Sequence, residues 1–133
     1  MEQENPRTIM IVDDDLFLLD LYSSRFAQAG FTVETASSGK DALEKITKGM
    51  TPDILLLDVV MPSMDGFELV EALSQKALLV STTKIFLTNL SREEDIVRGK
   101  SLGAAGYIIK AQSTPSDVVE QVRTILKQKE LVQ

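Results

Sequence analysis

Every ionisable side chain in this sequence is a carboxylate, a lysine, an arginine or a tyrosine, because its 133 residues include no His and no Cys. Imidazole acid–base catalysis, thiol nucleophiles, thiol redox chemistry and zinc sites built on Cys or His are therefore excluded. What remains for chemistry stands out by position. Asp13 closes the apolar run Thr8–Asp13 (TIMIVD) and is followed by Asp14 and Asp15. Asp58 closes Asp53–Asp58 (DILLLD), Thr88 closes Lys84–Thr88 (KIFLT), and Lys110 closes Gly106–Lys110 (GYIIK). Carboxylates, a hydroxyl and an ammonium thus recur at the ends of short apolar segments.

Brought together, Asp13, Asp14 and Asp58 repel one another, and one must hold a proton unless a cation joins them. With Lys110 added the group carries −2, which one divalent cation neutralises. All-oxygen ligands favour Mg²⁺, or Mn²⁺, over softer metals. A carboxylate beside such a metal, a hydroxyl and a lysine suits phosphoryl transfer. The metal and Lys110 neutralise phosphoryl oxygens, and the Thr88 hydroxyl donates to one of them. With Ser–His and Cys–His pairs impossible, the nucleophile for such chemistry is an Asp, and the product an aspartyl phosphate. Asp15 is set apart. It directly precedes Leu16 and is better explained as a helix N-cap.

These residues meet only if the elements carrying them do. A fifth run, Phe31–Ala36 (FTVETA), alternates as a half-buried edge strand would. Between the runs lie helical patterns. Leu18, Leu21, Tyr22, Phe26 and Ala29 stripe the segment Leu16–Ala29, which Gly30 closes, and leave Leu16, Phe17 and Leu19 as an apolar docking face beside the rim. Ser38–Lys48 carries Ala42, Leu43 and Ile46; Gly66–Gln75 carries Phe67, Leu69, Val70 and Leu73. Ser91–Leu102 opens on the capping pattern Ser91-Arg92-Glu93-Glu94 and holds Gly99 in its interior. Thr114–Leu126 starts with Pro115 at the first helical position, and the polar tail after Lys127 is expected to fray. Five alternations of strand and helix predict an α/β fold, a parallel sheet covered by helices on both faces. In such a sheet all carboxyl ends share one edge, where ligands bind at the reversal of strand order. If strands one and three are neighbours, Asp13, Asp14 and Asp58 meet there, flanked by Thr88 and Lys110.

Composition fits one domain over residues 1–133, with a core from 8 to 127: 44% of residues are hydrophobic and 26% charged. A net charge of −6 disfavours nucleic acid and anionic membranes as partners. No apolar run approaches the ~20 residues of a spanning helix. The opening Met1–Arg7 is too polar for a secretory signal. The expected compartment is the cytoplasm.

IMIVDDD at 9–15, LLLDVVMPSMDG at 55–66, FLTN at 86–89 and GAAGYIIK at 103–110, in this order and at these spacings, resemble the response-regulator receiver domain of two-component signalling. The resemblance covers residues 8 to about 127. It implies a flavodoxin-like, doubly wound sheet of five parallel strands in the order 2-1-3-4-5. It also implies that Asp58 is the phosphoacceptor and that Asp13 and Asp14 hold Mg²⁺ together with Asp58 and the backbone carbonyl of Val60. Thr88 and Tyr107 would be the switch residues and Lys110 the phosphoryl-binding cation. The donor would be a phosphohistidine on a sensor histidine kinase or a histidine phosphotransfer protein, which this His-free chain cannot itself supply.

The sequence departs from the family pattern in three places. Ala111 follows Lys110 where the family commonly has a cis proline. A cis bond before a non-proline costs about 2.5–4 kcal/mol, so a trans bond is expected. Asn89 is larger than the small residue common beside Thr88 and is expected to narrow access to Asp58. Val60 and Leu90 are apolar at rim positions that are often polar. Three other readings stand beside the phosphoacceptor switch. A degenerate receiver that only binds partners predicts loss of the acidic pair, Asp58 or Lys110, and all are present. A Mg²⁺-dependent phosphohydrolase with an Asp nucleophile needs a substrate cap for which the chain has no room. A flavin carrier of the same fold needs a Gly- or Ser/Thr-rich phosphate cradle where this chain has its acidic run.

Overall fold

The computed structural model describes residues 7–131. Its elements are β1 (Thr8–Val12), α1 (Leu16–Gln28), β2 (Thr32–Ala36), α2 (Gly39–Thr47), β3 (Ile54–Leu57), α3 (Gly66–Gln75), β4 (Thr83–Thr88), α4 (Glu93–Ser101), β5 (Gly106–Ile109) and α5 (Pro115–Leu131), with a 3₁₀ turn over Lys110–Gln112. All strand pairs are parallel, and the order is β2-β1-β3-β4-β5.

The two-residue period of the strands explains how the helices sort. Met10, Val12, Leu55, Leu57 and Phe86 face a cluster closed by Phe67, Leu69 and Leu73 of α3 and Ala42 and Ile46 of α2. Their chain neighbours Ile9, Ile11, Ile54, Leu56, Ile85 and Leu87 face the other side, against Leu19, Tyr22 and Phe26 of α1 and Val118, Val122 and Leu126 of α5. Because both faces are covered, the central strands read as continuous apolar runs rather than alternating ones.

Caps fix where the helices begin. Asp15 accepts from the Leu18 N–H at 3.1 Å, and Ser38 from that of Asp41 at 3.0 Å. At α3 the reciprocal bonds of Asp65 and Glu68 form a capping box, at 2.8 and 2.9 Å. The capping pattern at Ser91 is not used. Arg92 occupies the N-cap of α4 without a side-chain bond, and Glu93, Glu94 and Asp95 fill the first turn, where carboxylates suit the positive end of the helix dipole.

Two further expectations are corrected. In α1, Leu19 is buried and Leu21 only half-buried, so Leu16 and Phe17, at 68% and 75% exposure, are what remains of the predicted apolar face. Leucines at 16, 18, 19 and 21 surround most of one helical turn, and periodicity alone does not select the inward direction. Nor does the chain fray after Lys127: α5 runs to Leu131, with Lys129 Nζ donating to Thr83 Oγ1 at 2.8 Å and Glu130 paired with Arg7. The terminal stretches 1–6 and 132–133, read above as polar tails, lie outside the described residues. Among the described residues no helix is long and apolar enough to cross a membrane.

Candidate functional site

Register places the acidic residues. Val12 of β1 is paired with Leu57 of β3, so Asp13 and Asp58 emerge side by side one residue later. Backbone bonds carry the ladder past the strand ends: Asp58 N donates to Val12 O at 3.0 Å and Asp13 N to Ala36 O at 3.2 Å. Both carboxylates are buried, at 2% exposure for Asp13 and 7% for Asp58, whereas Asp14 is exposed. Carboxylate oxygens of Asp13, Asp14 and Asp58 lie within 4.8 Å of one another. Lys110, just past the end of β5, reaches across with Nζ 2.7 Å from Asp13 Oδ2 and 2.8 Å from Asp58 Oδ2. Thr88, the last residue of β4, is fully buried beside them and lines the same open cleft.

Burial pushes the Asp13 carboxyl above the ordinary aspartate range, and it outweighs the hydrogen bonds from Lys110 and the Asp15 N–H that favour the anion. For Lys110 burial acts in the opposite sense from its neighbours. It favours loss of the proton, but the bonds and charges of Asp13 and Asp58 prevail and hold the ammonium above its usual range. The cluster is thus an anionic cleft, with Asp13 and Asp58 buried and Asp14 exposed, and with one fixed cation already in it. The carboxylate oxygens of Asp13, Asp14 and Asp58 are hard donors, a set suited to a hard divalent cation such as Mg²⁺.

The loop after β3 is shaped around Asp58. A Cβ on Gly66 would sit 2.2 Å from the Asp58 carbonyl oxygen, so glycine is required here by close approach, not by a left-handed backbone. The left-handed residue of the loop is Ser63, at φ 69°, beside Pro62, whose carbonyl accepts from Met64 N at 2.8 Å. Val60 N donates to Asp58 Oδ1 at 3.3 Å, while the Val60 side chain is 61% exposed on the rim.

On the other flank, Thr88 Oγ1 accepts from Leu90 N at 3.3 Å and the Tyr107 hydroxyl donates to Leu90 O at 2.5 Å. Burial, with the charges of Asp95 and Asp58 adding to it, pushes the Tyr107 phenol up to about 12. Gly99 of α4 lies against this ring: a Cβ there would be 3.0 Å from Tyr107 Cδ2 and 3.1 Å from Phe86 Cδ2. Close packing therefore accounts for the glycine inside that helix.

The Lys110–Ala111 peptide is trans, as expected. Asn89 lines the cleft, but its carboxamide is turned to β5, with Oδ1 accepting from Ala111 N at 2.8 Å. That bond escaped the sequence reading, as did Arg98, whose guanidinium lies 4.6 Å from the Phe67 ring centroid and 3.6 Å from Glu71 Oε2, joining α4 to α3. Neither residue carries a local sequence signal, because each partner comes from a different element.

A parallel 2-1-3-4-5 sheet with an acidic cluster and a lysine on its carboxyl edge defines a receiver, and residues 9–123 match the family described as response regulator receiver domain. The chain belongs to that family, the receiver domain of two-component response regulators. It is 35% identical over 125 residues to the alkaline phosphatase synthesis transcriptional regulatory protein PhoP of Bacillus subtilis (strain 168), covering 94% of this chain and 50% of that protein. The chain spans about half the length of the curated relatives it matches. Among solved structures it is similar to the chemotaxis protein CheY4 of Vibrio cholerae, at TM-score 0.82 and 31% identity over 90% of this chain and 98% of that one. It is also similar to a CheY-like receiver domain protein of Methanospirillum hungatei JF-1, at TM-score 0.83 and 30% identity over 96% and 99% of the two chains.

Proposed function

We propose that this domain is a phosphoacceptor switch in which Asp58 takes a phosphoryl group from a phosphohistidine on a sensor histidine kinase or histidine phosphotransfer protein in the cytoplasm. An Asp58 carboxylate oxygen attacks phosphorus, the P–N bond of the donor breaks, and the imidazole leaves with that electron pair and takes up a proton. The observation that carries the reading is Lys110 Nζ, held 2.7–2.8 Å from both Asp13 and Asp58 at the edge of a three-carboxylate pocket. Asp13, Asp14 and Asp58, with the Val60 backbone carbonyl, would hold Mg²⁺, which when bound supplies charge neutralisation at the phosphoryl oxygens. Lys110 moves from its carboxylate pair to a phosphoryl oxygen. Thr88 donates its hydroxyl to another, giving up its bond with Leu90 N, and the loop above Tyr107 follows. The new arrangement of this flank regulates a downstream protein or output domain. The chain assists its own phosphorylation without turning over a separate substrate.

The test is mass spectrometry after treatment with acetyl phosphate and Mg²⁺. One phosphoryl group should appear on the wild-type peptide containing Asp58 and be absent from Asp58→Ala. Equal labelling of both proteins would overturn the assignment.

A further inference from the structure

We propose that Asn89 is a positioning residue for Lys110: its carboxamide oxygen takes the Ala111 N–H and so fixes the turn from which the Lys110 ammonium reaches Asp13 and Asp58. The inference rests on the phosphoacceptor reading above and extends it to a residue outside the reacting set.

The site residues are supported by the sheet to very different degrees. Asp13 and Asp58 leave β1 and β3, each of which is paired on both sides. Lys110 leaves β5, a four-residue strand at the end of the sheet with β4 as its sole neighbour. The β4–β5 ladder ends at Thr88 and Ile109, so Lys110 is the first residue beyond it and opens a single 3₁₀ turn. A lysine has four rotatable side-chain bonds, and its ammonium is only as well placed as the backbone at its root. Here that backbone lies where strand pairing has stopped.

Asn89 supplies the missing tie. It follows Thr88 directly, and its Oδ1 accepts from Ala111 N at 2.8 Å, so a side chain extends the connection between the two strands past the end of the ladder. The far end of the turn is held from the opposite side, by Gln121 Nε2 donating to Ser113 Oγ at 2.8 Å and Ser113 N to Lys110 O at 3.2 Å. Lys110 therefore sits between a tie at Ile109, a tie at Ala111 and a tie at Ser113. The middle one belongs to the loop that also carries Thr88 and Leu90. The alanine at 111 is what makes the bond available, since it keeps the N–H that a proline would lack.

Asn89 and Ala111 are both exposed, so removing the carboxamide leaves the core untouched and frees Ala111 N–H to water. The expected loss falls on chemistry, because displacement of a charged group by a fraction of an ångström lowers the rate without abolishing binding. The experiment follows ¹⁵N-labelled wild type, Asn89→Ala and Asn89→Asp, the last keeping an acceptor at the same position. Exchange of the Ala111 amide is measured by NMR without metal, and phosphorylation of Asp58 is timed with acetyl phosphate and Mg²⁺. In Asn89→Ala, Ala111 exchange should quicken by about tenfold and the rate at saturating donor should fall by about fivefold or more, with the half-saturating donor concentration unchanged. Asn89→Asp should restore slow exchange and most of the rate. Unchanged Ala111 exchange in Asn89→Ala overturns the proposal, and so does faster exchange with the rate retained. A faster rate in Asn89→Ala would make Asn89 a steric gate, and that too overturns it. A wild type that takes no phosphoryl group on Asp58 overturns the phosphoacceptor reading itself, before any variant is compared.

Discussion

β1 and β3 lie inside the sheet, paired on both sides, and of their nine residues only Thr8 is not fully buried; β5 is paired on one side, and α4 beside it buries Gly99 alone. Asp13 and Asp58 stand on the first region, and Tyr107 and the β4–α4 loop belong to the second. The contrast matches two demands. Carboxylates proposed to hold a metal and take a phosphoryl group need a backbone that does not move, which buried ladders provide. A flank that must report the reaction needs an alternative arrangement within a few kcal/mol, and a helix held by a cation–π contact, one exposed ion pair and a glycine contact meets that need.

Core truncation sharpens the contrast most. Leu56→Ala in β3 removes a fully buried side chain and should destabilise by about 2–5 kcal/mol, read from urea midpoints. Val97→Ala in α4 removes one that is 58% exposed and should stay within about 0.5 kcal/mol. Similar losses at both positions would show the two regions to be equally tightly packed.

Metal addition acts on the rigid region next. On the proposed reading Mg²⁺ would relieve repulsion among Asp13, Asp14 and Asp58, and at ten times its dissociation constant it should add about 1.4 kcal/mol. The thermal midpoint should rise accordingly, and the rise should largely vanish in Asp14→Ala or with chelator. An undiminished response in that variant would remove the metal assignment.

At the rim between the regions, Val60 and Leu90 offer no side-chain donor or acceptor to a water attacking the phosphoryl group in line. The double substitution Val60→Asn/Leu90→Glu should hasten decay of the phosphorylated form by about several-fold, within the range of positioned proton-handling groups. Mg²⁺ affinity should be little changed, since the ligand proposed from Val60 is its backbone carbonyl. Unchanged or slower decay would show that the apolar rim does not set the lifetime.

The smallest effect concerns the Tyr107 phenol, which the fold keeps neutral up to about 12 against an ordinary value of 10.0. A raised folded-state value means that its contribution is complete below pH 10 and is lost as pH climbs through the folded value. Tyr107→Phe should cost about 1 kcal/mol near neutrality through the lost bond to Leu90 O, and it should flatten the alkaline decline of stability. An identical alkaline decline in both proteins would deny the phenol that role.

The rigid region was legible in the sequence because its signals are local. Uninterrupted apolar runs as short as ILLL, too short for a helix and bounded by turn-forming residues, read as strands buried on both faces, and the polar residue that follows marks the edge. Asp13, Asp58, Thr88 and Lys110 therefore met as predicted. The flank was less legible. The pattern Ser91-Arg92-Glu93-Glu94 reads as a capping box, yet the helix begins two residues after Ser91, with three carboxylates in its first turn. Asn89 reads as an obstruction beside Thr88 until Ala111, 22 residues away, is seen to be its partner. In α1 the surplus of leucines left the inward direction open between Leu19 and Leu21. Each miss depends on which element lies opposite, a fact that sequence periodicity does not carry.

In the proposed switch, chemistry at the fixed edge of β1 and β3 is relayed to the loosely held α4–β5 flank. This relay is tested most directly by comparing amide chemical shifts and exchange before and after phosphorylation of Asp58 in the presence of Mg²⁺. Beyond the loops that touch Asp58, the largest shifts should fall in residues 91–110, with faster exchange in α4 and little change inside β1 and β3. Shifts that spare residues 91–110, or that spread evenly through the central strands, would contradict the account.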